Sequence, residues 1–271
     1  MSRSLATIIH VCILSPVGPL LPFAQSTFTT THHLLSIVVF ALLVVSMVLA
    51  GRVNDKWTRR IGAGVGFGVC LLSGIFYTLP ANLEPDKSLP IQACDLLVFL
   101  APLTLAWPSR LLKAVVYFGG FGLTTQGFVT PTSDIGGPDN IKFWIFWLLH
   151  GVIVATAIYI IVVDRFRPTA KDLRNAVLFW FGYAIAMITL NYGTYIGGLN
   201  DGQGWYYGYL GPTLPDVVAE SVLKHLGEWP LRPVLMMLLA LSIFVLLYLP
   251  WLLVPKKCDK ESLQSESIAS P

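Results

Sequence analysis

Seven apolar stretches, each about as long as a membrane-crossing helix, constrain this chain more than any other feature of its sequence. A helix rises 1.5 Å per residue, so about 20 apolar residues cross the ~30 Å hydrocarbon core of a bilayer. The stretches lie near residues 33–50, 61–81, 89–107, 111–129, 141–163, 173–195 and 231–254. Only 12% of the residues are charged, against roughly a quarter in soluble domains. The sequence therefore predicts an all-α, polytopic membrane helical bundle of about seven transmembrane helices.

The lysines and arginines predict how this bundle is oriented. One alternate set of loops holds 13 of the 18 basic residues: Arg52, Lys56, Arg59, Arg60, Arg110, Lys113, Arg165, Arg167, Lys171, Arg174, Lys256, Lys257 and Lys260. Loops rich in Lys and Arg stay in the cytosol. We therefore expect the N-terminus outside and the C-terminus inside, in the plasma membrane (the inner membrane if the protein is bacterial).

The chain divides into three parts on this interpretation. Residues 1–32 form an N-terminal apolar or interfacial segment, and residues 33–254 form the bundle, with a long outer loop at 196–230 that is rich in Gly and aromatic residues. Residues 255–271 are polar and Ser-rich, which is typical of a disordered cytosolic tail.

The first 24 residues permit more than one interpretation. Residues 4–24 are apolar and follow Arg3, as in a signal peptide or a short extra helix. Pro16, Pro19 and Pro22 argue against a regular span, so an interfacial or re-entrant segment is favoured. An extra helix would place the N-terminus inside without disturbing the other seven.

Glycines on two of the stretches predict close helix packing. Gly62 and Gly66, or Gly64 and Gly68, form GxxxG pairs in the second stretch, and the fourth repeats small residues around Gly120. Such pairs let a neighbouring backbone approach closely. We interpret them as contacts within the bundle rather than between two copies; the oligomeric state stays open.

Several function classes find no support in the composition. No basic patch with interleaved aromatic residues indicates nucleic acid binding. The four cysteines lack CxxC or Cys/His spacing, so neither a disulfide framework nor a zinc site is predicted. We expect no metal and no cofactor, and membrane lipids are the expected partners.

Polar residues within the stretches gather at one depth. An ionisable group inside a bilayer costs at least about 2.5–3.5 kcal/mol, so it marks a candidate site. With the predicted orientation, the outer halves of five helices hold His33, Gln92, Cys94, Asp95, Gln126, His150 and Asn191. The cytosolic halves hold almost none. This matched depth predicts a polar cavity that opens outward or into the outer leaflet.

Each of these residues also has a simpler explanation. Cys94 can be a small apolar filler, and Asp95 can accept hydrogen bonds at the start of its helix. His150 can hydrogen-bond a neighbouring helix beside Trp144 and Trp147. Their common depth favours a site over these separate explanations.

The sequence resembles a known family in several ordered pieces. They are His33-Leu34-Leu35, Leu89-Pro90-Ile91-Gln92-Ala93-Cys94-Asp95-Leu96, Thr130-Pro131 with His150-Gly151, Arg167-Pro168-Thr169, Leu190-Asn191-Tyr192-Gly193 and Leu226-Gly227-Glu228-Trp229-Pro230. Their order and spacing are similar to those of the YwaF-like bacterial membrane proteins, which are related to the eukaryotic transmembrane protein 164 family. Many bacterial relatives carry His where this chain has Gln92, and Gln cannot titrate.

The resemblance implies lipid acyl transfer. The eukaryotic branch is regarded as lipid acyltransferase with a nucleophilic Cys and a His partner, which correspond by position to Cys94 and His150. The hypothesis is thus a Cys/His acyltransferase, supported by Asp95, Gln92, His33, Asn191 and Gln126. The alternative is a small-solute transporter or ligand-binding membrane protein without enzymatic activity. A seven-helix receptor is a further possibility that no residue specifically favours.

Overall fold

The computed structural model describes residues 30–86, 88–129, 137–214 and 225–253 of the chain. Within these ranges the chain forms seven main helices and no β-strand. The helices are α1 (Thr30–Val53), α2 (Asp55–Thr78), α3 (Ala93–Ala106), α4 (Arg110–Gly119), α5 (Ile141–Val162), α6 (Ala170–Ile196) and α7 (Leu231–Leu253). Each coincides with one of the seven apolar stretches, so the prediction of an all-helical bundle is confirmed.

Helix starts are set by local capping. The side chains of Asn54, Ser109 and Asn140 accept hydrogen bonds from backbone N–H groups in the first turns of α2, α4 and α5. Thr169 and Asp172 cap the start of α6 reciprocally. Such bonds satisfy donors that have no partner inside the helix. As a result, α2 and α6 begin several residues before the apolar stretches that predicted them.

Two central helices depart from a regular span. Helix α3 has 14 residues and contains Pro102. Helix α4 continues as a π-helical segment, Gly120–Thr124, and then as a helical turn, Gln126–Val129. We call residues 120–129 the α4 extension. A π-helical turn inserts an extra residue into the helix and re-aims the side chains beyond it.

The outer surface of the bundle is that of a membrane protein. Five helices, α1, α2, α5, α6 and α7, are long and apolar enough to cross a bilayer. Leu42 on α1, Leu71 on α2 and Leu246 on α7 are each more than 60% exposed. Apolar surface on this scale requires lipid, since a soluble monomer does not expose contiguous apolar patches of this size. The chain is therefore an integral membrane protein.

The core lies between α3, α4 and α5. Leu97, Val116 and Ile153, one from each of these helices, are buried together. Trp180 of α6 and Phe244 of α7 close the same cluster. The helices thus surround a packed centre against which the candidate site residues are held.

The glycine pairs divide between the core and the surface. A Cβ atom at Gly66 would lie 2.8 Å from Pro102 of α3, and one at Gly62 would lie 3.1 Å from Leu105. Nothing lies within 4 Å of the corresponding positions at Gly64 and Gly68. The pair Gly62/Gly66 therefore serves packing within the bundle, as predicted.

Charged residues gather at one end of the bundle. Asp164 pairs with Arg59 and with Lys113, whose Nζ lies 2.7 Å away. Arg110 pairs with Asp172 at 2.6 Å. This end carries the starts of α2, α4 and α6 and the end of α5, which agrees with the alternation of basic loops. That it faces the cytosol stays a prediction.

Candidate functional site

The loop after α6 closes the opposite end of the bundle. The Asn191 side chain donates to the carbonyl of Tyr207 at 2.8 Å and accepts from its N–H at 3.0 Å. The Tyr207 hydroxyl donates to the Pro85 carbonyl at 2.6 Å and accepts from the Leu89 N–H at 3.0 Å. Tyr207 is fully buried. The loop is thereby attached both to α6 and to the segment that precedes α3.

The first turn of α3 is fixed to the same loop. The Gln92 side-chain oxygen accepts a hydrogen bond from the N–H of Gly208 at 2.7 Å. The Gln92 N–H donates in turn to the carboxylate of Asp95 at 3.2 Å. These bonds determine how α3 begins, and therefore where Cys94 is placed.

Cys94 lies in this first turn and faces the α4 extension. Its side chain is partly buried and packs against the core. The thiol lies near the side chain of Thr124. Thr124 is completely buried, and its hydroxyl has no hydrogen-bond partner among the described residues. The first turn of α3 and the α4 extension therefore place a thiol near a hydroxyl that is free to donate a hydrogen bond.

His150 approaches the same extension from α5. Its ring is buried and packs on Phe146, with ring centroids 4.2 Å apart, and on Phe128 at 5.8 Å. Nδ1 lies 2.8 Å from the Phe146 carbonyl oxygen. A carbonyl can only accept, so Nδ1 carries the proton in the neutral ring and Nε2 carries the lone pair. Nε2 is thus the basic atom.

The lone pair of Nε2 lies against Gly127. A Cβ atom at Gly127 would be 2.8 Å from Nε2 and from Cδ2 of the ring. Gly127 and Thr124 both belong to the α4 extension. The thiol of Cys94 and the imidazole of His150 therefore approach the same distorted segment, the first near Thr124 and the second at Gly127.

A comparison with protein families gives this arrangement its context. The TMEM164 family model matches residues 27–248, which is most of the chain. This chain belongs to the TMEM164 family. No curated protein and no solved structure matches it. The predicted relation to transmembrane protein 164 is confirmed, whereas the likeness to the YwaF-like bacterial group stays a prediction.

In this TMEM164 family member, three predicted supporting residues have structural partners. Asn191 uses both polar atoms of its amide on Tyr207, and Gln92 holds Gly208. Asp95 accepts from the Gln92 N–H at the start of α3. Each of the three positions an element around the site. Their predicted part in catalysis is not needed to explain these contacts.

Two other predicted supporting residues lie partly outside the described structure. His33 belongs to α1 and Gln126 to the α4 extension, but the side chains of both lie outside the described residues. Their supporting roles stay predictions.

Two residues that border the site were not among the predicted site residues. The sequence places Thr124 and Thr125 in the polar layer with Gln126, but nothing in it distinguishes Thr124 from Thr125. Tyr183, on α6, donates to the Ile91 carbonyl at 3.0 Å and lies near Cys94 and Asp95. The sequence did not indicate a role for Tyr183, because a tyrosine in an apolar helix is common.

The described ranges contain no cluster of three or more His, Cys, Asp or Glu side chains that could hold a metal ion.

Proposed function

We propose that this TMEM164 family member is a membrane-embedded lipid acyltransferase in which Cys94 is the nucleophile and His150 is the general base. The observation that carries the proposal is the approach of both side chains to the α4 extension, with His150 Nε2 as the basic atom. Membrane lipids supply the acyl esters, because the bundle is surrounded by them.

The first half of the reaction transfers the acyl group to the protein. A free thiol has a pKa of about 8.5, and the thiolate is the nucleophile, so a nearby base is required. His150 Nε2 takes the thiol proton while sulfur attacks the carbonyl carbon of a lipid ester. The tetrahedral intermediate then collapses, its C–O bond breaks, and the leaving alcohol takes the proton from the imidazolium. A thioester on Cys94 results.

The second half passes the acyl group to an acceptor. His150 Nε2 takes the proton of the acceptor hydroxyl while its oxygen attacks the thioester carbonyl. Collapse of this intermediate breaks the C–S bond, and the imidazolium returns its proton to the leaving thiolate. The free enzyme is restored, and no net redox change or proton release occurs.

Thr124 is the group we assign to the oxyanion. Its buried hydroxyl lies beside Cys94 and has no hydrogen-bond acceptor among the described residues. A donor at this position stabilises the negative oxygen that forms during attack. One such donor typically lowers the activation free energy by roughly 3–4 kcal/mol. Asn191 does not serve here in this proposal, because its amide is occupied by Tyr207.

Thioester trapping tests the proposal. Membranes that contain the protein are incubated with a phosphatidylcholine whose acyl chain carries an alkyne, and the alkyne is then coupled to a fluorophore. We expect a labelled protein band that hydroxylamine removes, as it removes thioesters. Cys94→Ala should abolish the label, and Cys94→Ser should give at most an oxyester that resists hydroxylamine.

Cys70 provides the matched control. It is the other cysteine in the described part of the chain, it lies on α2, and it also packs against the core. Cys70→Ala should leave the label unchanged. Equal labelling of the parent and Cys94→Ala proteins would show that the acyl group is not carried by this thiol and would overturn the proposal.

A further inference from the structure

A cavity lies at the charged end of the bundle. It is an open cleft of about 770 Å³ between the end of α1, the start of α2 and the end of α5. Four cations line it, Arg52, Arg59, Lys113 and Arg165, against two carboxylates, Asp55 and Asp164. The cleft therefore carries a net positive charge.

Both carboxylates are already occupied. Asp164 pairs with Arg59 and Lys113. Asp55 accepts from Arg59 Nε at 2.8 Å and from the Tyr159 hydroxyl at 2.7 Å. They hold the floor of the cleft in place and have little capacity left to neutralise further cations.

The remaining cationic groups that line the cleft have no ion-pair partner among the described residues. Arg52 and Arg165 are exposed, and neither makes an ion pair with a described residue. Nη1 of Arg59 is buried and has no hydrogen-bond partner within the described ranges. Buried polar groups are normally satisfied, so this guanidinium has one donor available for a ligand.

The backbone holds Arg165 in an uncommon conformation at the rim of the cleft. Its φ is 54°, in the left-handed region that non-glycine residues seldom adopt. The next residue, Phe166, is buried, and its N–H donates to the Ile160 carbonyl at 2.9 Å. The turn is therefore fixed by packing and hydrogen bonding, and it directs an unpaired guanidinium to the cleft.

We propose that this cleft binds the phosphate of an anionic phospholipid headgroup. Guanidinium groups recognise phosphate oxygens through paired hydrogen bonds. Basic pockets between transmembrane helices on the cytosolic side bind anionic headgroups, and this end is predicted to be cytosolic. Val162, which lines the cleft, follows His150 by 12 residues along α5, or about 18 Å, so the cleft is separate from the proposed acyl-transfer site and does not depend on it.

Binding measurements on the purified full-length protein test this proposal. The protein in dodecyl maltoside is titrated with dioctanoyl phosphatidic acid, with dioctanoyl phosphatidylcholine, which has no net charge, and with inorganic phosphate. We expect phosphatidic acid to bind more tightly than phosphatidylcholine. The double variant Arg52→Gln/Arg165→Gln should weaken phosphatidic acid binding by about fivefold for each arginine removed.

The double variant Lys56→Gln/Arg60→Gln is the matched control. It removes the same charge from the same end of the bundle, at exposed positions that do not line the cleft. This control should change the affinity less than twofold. Gel filtration and thermal unfolding should match the parent for both double variants, because none of the four replaced side chains makes an ion pair with a described residue.

The outcomes separate the sources of the phosphate. Binding of phosphatidic acid alone identifies a lipid headgroup as the ligand, and arginine-dependent binding of inorganic phosphate as well identifies a site for the phosphate group itself. Equal losses in the two double variants, or equal affinity for phosphatidic acid and phosphatidylcholine, would overturn the proposal.

Discussion

At the scale of single residues, a backbone hydrogen bond decides how His150 can act. The Phe146 carbonyl accepts a hydrogen bond from Nδ1–H, and Nε2 is left as the acceptor against Gly127. The absence of a side chain at position 127 is what lets the ring occupy this place. The position of the proposed base therefore depends on a glycine of the α4 extension, and its chemistry depends on His150 itself.

A methyl group at position 127 tests whether the placement of the His150 ring matters for activity when His150 itself is unchanged. In Gly127→Ala the new Cβ would lie 2.8 Å from Nε2, so the imidazole must shift. A displacement of about 1 Å costs on the order of 100-fold in rate, and we expect thioester labelling of the variant to fall at least tenfold. Gly193→Ala on α6, where nothing lies within 4 Å, should keep the parental rate. Parental labelling by Gly127→Ala would contradict the assignment of His150.

Tyr207 should contribute to stability through its hydroxyl. In Tyr207→Phe the Pro85 carbonyl and Leu89 N–H lose their partner, which costs about 1–3 kcal/mol for buried groups. Thermal or denaturant unfolding in detergent measures the loss. Tyr195→Phe, at an exposed tyrosine of α6, should have little effect. Equal stability of Tyr207→Phe and the parent would contradict this role.

The same residue predicts a pH dependence. Burial raises the pKa of Tyr207 to about 12, above the value of about 10 for an unfolded tyrosine. The raised pKa means that the folded state favours the protonated hydroxyl, so its contribution is complete below about pH 10 and is lost as the pH rises towards 12. The difference in stability between the parent and Tyr207→Phe should therefore be constant from pH 7 to pH 9.

Sequence patterns predicted some of these residues and not others. Cys94 and His150 could be found because ionisable and nucleophilic groups are rare in apolar helices and both had the same predicted depth. The bonding of Asn191 to Tyr207 could not be found, because it depends on how the loop after α6 folds back. The same loop occupies Gln92, a contact that no spacing rule reveals.

At the scale of elements, apolar length predicted where the helices lie but not how they deviate. The polar first turns of α2 and α6 extend each helix beyond its apolar stretch, because capping side chains satisfy their free N–H groups. The π-helical segment of the α4 extension depends on tertiary contacts. Gly122 lies so close to Phe244 of α7 that a Cβ there would be 2.7 Å from its ring.

Two glycines of α2 offer a test of helix packing with identical substitutions. Gly66→Ala should destabilise the bundle by about 1–3 kcal/mol, because the new methyl group overlaps Pro102. The new methyl group of Gly64→Ala would lie in open space. This substitution should be neutral or stabilising by up to about 1 kcal/mol, since alanine favours the helix over glycine. Unfolding in detergent compares the two. A Gly66→Ala protein at least as stable as Gly64→Ala would contradict the packing described here.

At the scale of the whole molecule, two ends of unlike chemistry define the bundle. Ion pairs, and arginines without an ion-pair partner among the described residues, occupy one end, and the loop anchored by Tyr207 occupies the other. The alternation of basic loops agrees with this division. It also predicts the orientation in the membrane, which a test on intact cells can decide.

Cysteine labelling reports which end is outside. In a background with the native cysteines replaced by serine, Asp201→Cys in the loop after α6 should react with a membrane-impermeant maleimide on intact cells. Lys171→Cys at the start of α6 should react only after the cells are opened. Both positions are exposed. The reverse pattern would show that the end with the ion pairs faces outward and would contradict the predicted orientation of the bundle.

The shortness of α3 has a consequence for the shape of the membrane around the protein. Its 14 residues measure about 21 Å, less than the ~30 Å of hydrocarbon that a bilayer presents. We expect loop residues and water to fill the remaining depth, so that the bilayer is thinner beside the first turn of α3. A thinner leaflet at this place would bring the glycerol esters of its lipids closer to the depth of Cys94, as the proposed acyl transfer requires.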